Sequence, residues 1–158
     1  MAEIQYVIFS LEDEEYAVRI LDVQEINRLK DLSINKIPKA PNHIKGLLNL
    51  RGEVIPVIDL RIEFNLPEKE MSKETRIIVV KVDKKAVGLL VDSVQHVLTF
   101  EQDSIGVPPE EVRTSNNYIS GVGKKNNRMF FVLDIQEIIE MRAVKQYAEV
   151  DCEELKSS

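Results

Sequence analysis

The chain holds one cysteine, Cys152, so no disulfide can form within its 158 residues, and the composition suits a reducing compartment. Its neighbours Asp151, Glu153 and Glu154 disfavour a thiolate, which removes Cys152 as a nucleophile. Tryptophan is absent and aromatics make up 6% of residues, leaving little with which to stack nucleic-acid bases. The net charge of -6 points the same way, because non-specific nucleic-acid affinity comes from clustered Lys and Arg. A short basic run at Lys124, Lys125 and Arg128 reads as a solvated loop. No stretch approaches the ~20 apolar residues that span a bilayer. The start, Met1-Ala2-Glu3-Ile4-Gln5, lacks the basic and long apolar regions of a signal peptide. The expectation is a cytoplasmic protein that neither inserts in a membrane nor binds nucleic acid.

Catalytic constellations are also missing. His43 and His96 lie far apart, and neither has a cysteine or second histidine at ligand spacing. Gly121-Val122-Gly123-Lys124-Lys125 lacks the Gly-x-x-x-x-Gly-Lys-Ser/Thr spacing of a phosphate loop. No Gly-x-Ser-x-Gly elbow is present. Asp59, Asp92 and Asp134 each close an apolar strand, a placement that invites a magnesium or calcium reading. No Asp-x-Asp pair or nearby glutamate cluster completes a shell, and an aspartate bonding its own backbone is the commoner use. No catalytic residue, metal ligand or cofactor is expected.

What is present is β-sheet sequence in an ordinary balance, with 44% hydrophobic and 30% charged residues. Ile4 to Leu11 and Tyr16 to Ile20 read as a strand pair turned at Asp13-Glu14-Glu15. Arg76 to Val82 and Ala86 to Val91 read as another, followed by a strand at Val94 to Phe100. Tyr118 to Val122 and Met129 to Leu133 make a third pair. Leu21, Val23, Ile26 and Leu29 do not alternate, so Leu21 to Leu29 reads as a short helix. Asp31 to Ile37 is a polar connection before Pro38 and Pro41. Asp134 to Tyr147 carries Ile135, Ile138, Ile139 and Met141 between charges, as an amphipathic helix does.

The most informative stretch is Ile44 to Leu50 and Val54 to Leu60, two strands joined at Arg51-Gly52-Glu53. Glycine accepts positive φ without steric cost, so a tight turn forms there and stands Arg51 at the tip of a stiff hairpin. Such an arginine is either a solvated turn residue or a docking contact. Val23 and Ile26, beside Glu25 and Asn27, form an apolar patch rimmed with polar residues, or else one of them enters the core.

Taken in order, several segments resemble the CheW family of bacterial chemotaxis coupling proteins. They are Asp13-Glu14-Glu15-Tyr16, Val23-Gln24-Glu25-Ile26, Ile44-Lys45-Gly46, Asn49-Leu50-Arg51-Gly52, Ile55-Pro56-Val57-Ile58-Asp59-Leu60-Arg61, Gly88-Leu89-Leu90-Val91-Asp92 and Tyr118-Ile119-Ser120-Gly121-Val122-Gly123. The resemblance implies a mostly-β fold of two five-stranded SH3-like barrel lobes packed together, with a short early helix and a C-terminal helix. It implies one domain over residues 1–142, divided into lobes of about 12–75 and 76–142, the second taking strand 3–10 as well. Residues 143–158 would be the end of the C-terminal helix and a mobile tail. It implies no enzymatic activity and no cofactor. A CheW-like protein bridges the cytoplasmic tip of a methyl-accepting chemoreceptor to the regulatory domain of the histidine kinase CheA, and is thereby recruited to membrane-associated receptor arrays. Carried onto this chain, the kinase contacts would be Glu25, Ile37, Arg51, Gly52 and Glu53. The receptor contacts would be Val23, Ile26, Gly46, Val87 and Leu89.

Overall fold

The computed structural model describes residues 3–36, 38, 44–67, 69–110 and 118–140. The strands are β1 (Glu3–Leu11), β2 (Glu14–Arg19), β3 (Val23–Arg28), β4 (Ile34–Asn35), β5 (Ile44–Leu50), β6 (Glu53–Asp59), β7 (Arg76–Val82), β8 (Lys85–Val91), β9 (Ser93–Glu101), β10 (Ile119–Lys125) and β11 (Arg128–Leu133). Two short helices complete them, α1 (Leu60–Glu63) and α2 (Ile135–Glu140). The strand pairs expected from alternation and turn residues are present within a residue or two at most ends. The C-terminal helix is described only as far as Glu140, so its expected extent to Tyr147 lies outside the described residues.

The strands form two sheets, one ordered β10-β11-β2-β1-β9 and the other β3-β7-β8-β6-β5-β4. The chain is thus mostly β, but the two five-stranded barrels are corrected: the sheets have five and six strands, and neither closes on itself. The sheets also do not divide at residues 75 and 76. Strand β2 lies with β9 to β11, while β7 and β8 lie with β3 to β6, each joined through parallel pairings of β11 with β2 and β6 with β8.

The alternation of side chains sorts the apolar residues into three cores. Along β1, Val7, Phe9 and Leu11 face a core shared by both sheets, while Tyr6 and Ile8 face a core belonging to the five-stranded sheet. Along β7, Ile78 and Val80 enter the shared core, and Ile77 and Val79 enter a third one with Leu48, Ile55, Val57 and Leu90. Burial on both faces explains why these strands read as continuous apolar runs. A chain of aromatic rings crosses the shared core from Phe9 through Tyr16 and Phe64 to Tyr118, with centroids 5.8, 5.4 and 6.3 Å apart.

The early helix does not form. A 3₁₀ turn at Ile20–Asp22 leads into β3, which pairs with β7, and a second 3₁₀ turn follows at Leu29–Asp31. The reason lies in a register shift between Val23 and Glu25. In a regular strand, residues three apart face opposite sides. The bulge puts Val23 opposite Val80 and Ile26 opposite Ile78, so both turn toward the shared-core side despite a helical spacing. Leu21 and Leu29 belong to the flanking turns and complete the imitation.

The three strand-ending aspartates hold backbone or arginine groups. Asp59 caps α1 by accepting the Arg61 N–H at 3.0 Å, and Asp134 accepts the Glu137 N–H at 3.2 Å. Asp92 is bound by the buried guanidinium of Arg61. Among the described residues no three acidic, histidine or cysteine side chains gather into a metal-ligating group.

Candidate docking surface

The β5–β6 hairpin is built as its sequence dictates. Leu50 pairs with Glu53, leaving Arg51 and Gly52 as the two-residue turn, with φ of 53° and 84°. Two left-handed residues match the twist of the flanking strands, and glycine supplies the second at no steric cost. Arg51 remains 73% exposed at its side chain.

Its guanidinium nevertheless has a partner. Nη2 lies 3.0 Å from Glu25 Oε2 on β3. In strand order β3 and β5 are separated by three strands, which on a flat sheet would be on the order of 15 Å or more. The six-stranded sheet therefore curls, enclosing Leu48, Ile55, Val57, Ile77 and Val79, and the ion pair spans its mouth. A second bridge joins the same rim, with Lys81 Nζ on β7 placed 3.3 Å from Glu53 Oε1. Glu25 is largely sheltered, and its Oε1 is buried without a hydrogen-bond partner.

Of the residues expected to touch a kinase, Glu25, Arg51, Gly52 and Glu53 thus come together on one rim. Ile37 lies outside the described residues. The residues expected to touch a receptor divide. Ile26 is 39% exposed on β3, on the face opposite Glu25, and Val23 is half-buried against the shared core. Strand β3 therefore presents its charged partner to one side and its apolar residue to the other.

Gly46, Val87 and Leu89 are corrected, because none offers surface. Val87 and Leu89 are fully buried in β8, where strands lie on both sides and the shared core lies on one face. Gly46 is buried at the β4–β5 contact, where a Cβ would stand 2.4 Å from the Asn35 carbonyl oxygen. Its glycine is needed for close strand approach. The residue that composition could not mark as exposed is Leu21, 86% accessible in the turn before β3, with Ile20 at 36% beside it. Ile20 and Leu21 thus expose aliphatic surface just before β3, and Ile26 exposes more in its second half. In the basic β10–β11 hairpin Arg128 pairs with Glu15, and Lys125 keeps its charge while donating to the Thr99 carbonyl at 2.7 Å.

A curled six-stranded sheet, a second five-stranded sheet, and a rim of ion-paired side chains beside exposed aliphatics form a binding scaffold. The family model for the CheW-like domain matches residues 5–143. The chain belongs to the CheW family. It is 35% identical over 136 residues to the chemotaxis protein CheW of Helicobacter pylori, covering 86% of this chain and 81% of that one. It is 33% identical over 135 residues to the chemotaxis protein CheW of Bacillus subtilis, covering 85% of each. Among solved structures, the scaffolding protein TtCheW from Thermoanaerobacter tengcongensis is 36% identical, with a TM-score of 0.82 over 90% of this chain and 96% of that chain. The CheW relatives are named for chemotaxis and scaffolding, and no catalytic activity is indicated for them. No described helix is long and apolar enough to cross a membrane.

Proposed function

We propose that this CheW-family chain is a non-enzymatic scaffold that couples the cytoplasmic tip of a methyl-accepting chemoreceptor to the regulatory domain of the histidine kinase CheA. It works in the cytoplasm, at receptor arrays under the membrane, as a single domain. The observation that carries this reading is the division of β3. Glu25 joins Arg51, Gly52 and Glu53 on the rim assigned to the kinase, and Ile26 stands on the opposite face, assigned to the receptor. Two partners on two sides of one strand can be held at once.

The mechanism is geometric. A protein bound to both partners makes their meeting intramolecular, and the effective concentration reaches the millimolar range for short connections. Each contact is on the order of micromolar, about −8 kcal/mol, which lets an array assemble and exchange. The test is a titration against the CheA regulatory domain of the same organism, then against a receptor-tip fragment, then against both. Saturable one-to-one binding to each, with a ternary complex at saturation, supports coupling. A folded sample that binds neither partner removes the proposal.

A further inference from the structure

Of the six described arginines, Arg19, Arg51, Arg61 and Arg128 each hold a carboxylate, at Asp22, Glu25, Asp92 and Glu15. Arg28 and Arg76 do not. They are direct cross-strand partners at the end of the β3–β7 pair, a placement of like charges that disfavours pairing unless an anion answers it. Lys30 and Lys73 line the same open cleft of about 640 Å³, where Glu74 is the one acidic side chain among the described lining residues. Arg76 Nη1 donates to the carbonyls of Lys73 and Thr75 at 2.7 and 3.0 Å, which orients the guanidinium without neutralising it. Among the described lining residues four cations accompany one carboxylate, in a chain of net charge -6.

The complementary charge is in the chain itself. Glu149, Asp151, Glu153 and Glu154 place four carboxylates within six residues and no cation among them. Helix α2 packs against β7 and β8, and β7 begins at Arg76 in the cleft. The seven residues of β7 cover roughly 23 Å, and the nine residues from Glu140 to Glu149 can reach about 30 Å. We propose that the acidic segment 149–154 docks in the cleft formed by Arg28, Lys30, Lys73 and Arg76. Being tethered, it needs only weak individual ion pairs to occupy the site, and salt releases it. Arg28 shares the face of β3 that carries Ile26, so the cleft lies beside that exposed side chain.

Cys152, the sole cysteine, lies inside the acidic run and takes a nitroxide label without any substitution. In the full-length labelled protein at low salt, the amide signals of Arg28, Lys30, Lys73 and Arg76 should lose most of their intensity. They should recover at roughly molar salt, where the screening length falls to about 3 Å. The double variant Lys73→Glu, Arg76→Glu should abolish the effect, and wild-type salt dependence provides the same answer should that variant misfold. No broadening at these residues overturns the proposal, as does broadening that survives high salt. Mixing spin-labelled protein with unlabelled, isotope-enriched protein gives the remaining control. Broadening of equal size in the mixture means that a second copy supplies the segment, and the intramolecular contact is then wrong.

Discussion

Arg61 and Asp92 form a two-pronged ion pair: Nε and Nη2 each lie 2.7 Å from a different oxygen of the carboxylate. Arg61 Nη1 also donates to Glu12 Oε1 at 2.6 Å and to the Pro67 carbonyl at 2.5 Å. Asp92 accepts the Glu12 N–H at 2.9 Å, and its own N–H donates to the Ser10 carbonyl at 3.2 Å. The β1–β2 turn of one sheet, the β8–β9 turn, and α1 at the end of β6 are thus tied by one guanidinium.

Removing Arg61 should unlatch these elements. The guanidinium is 6% exposed and Asp92 is 15% exposed, so Arg61→Ala leaves a sheltered carboxylate with only the exposed Lys69 ammonium, 3.9 Å away, to answer it. Breaking a pair of this kind destabilises by about 3–5 kcal/mol. Urea denaturation followed by circular dichroism should show the midpoint falling accordingly. A loss below about 1 kcal/mol would mean that the pair behaves as an exposed one.

Acid should weaken the same latch. Desolvation pushes the Asp92 carboxyl upward, but hydrogen bonds from Arg61 and from the Glu12 N–H, with the charges of Arg61 and Lys69, outweigh it and hold the group below its ordinary value. The unfolded chain then binds the proton more readily than the folded one. The contribution is complete above the unfolded value of about 3.9 and is lost as pH falls through the lower folded value. Urea midpoints of wild type and Asp92→Asn should therefore differ at neutral pH and converge below about pH 4. A constant difference across that range would assign the loss to packing.

On β3, the two apolar residues should answer differently to the same change. Val23 packs against the shared core, so Val23→Lys should reduce stability by about 1–3 kcal/mol. Ile26 is 39% exposed, and Ile26→Lys should stay within about 0.5 kcal/mol. A receptor-tip titration of the Ile26 variant then reports docking alone. Equal destabilisation by both changes would place Ile26 in the core.

How far the fold could be read depended on whether the governing contacts were local. Strand pairs around Arg51-Gly52, Asp83-Lys84 and Asn126-Asn127 were legible because turn residues and apolar runs adjoin in sequence, while the first turn falls at Glu12-Asp13 rather than Asp13-Glu14-Glu15. The strand at Val23–Arg28 was not, since its bulge is set by pairing with β7 more than fifty residues away and gives Val23 and Ile26 a helical spacing. The two-residue strand β4 was missed because it has only Ile34 and Asn35 to declare it. At the candidate site, motif likeness singled out Glu25 and Arg51, which pair with each other, but could not mark Gly46 as a glycine that lets strands approach. Val87 and Leu89 failed for a related reason: an apolar strand residue carries no sign of which neighbours cover it.

Arg51 and Glu25 allow the sharpest separation of docking from stability. The arginine is 73% exposed at its side chain, and an ion pair with one such partner contributes about 0–1 kcal/mol. Arg51→Glu therefore keeps the turn, sets a second carboxylate against Glu25, and should lower stability by no more than about 1 kcal/mol. Binding to the kinase regulatory domain should fall by a factor of ten or more, about 1.4 kcal/mol, because the variant presents the wrong charge at the centre of the rim. Arg51→Ala should fall between wild type and the reversal. Calorimetric titration beside a urea midpoint measures both quantities on the same samples. If the kinase affinity is unchanged while the fold is intact, the Arg51–Glu25 bridge only closes the mouth of the curled sheet, and the docking surface lies elsewhere.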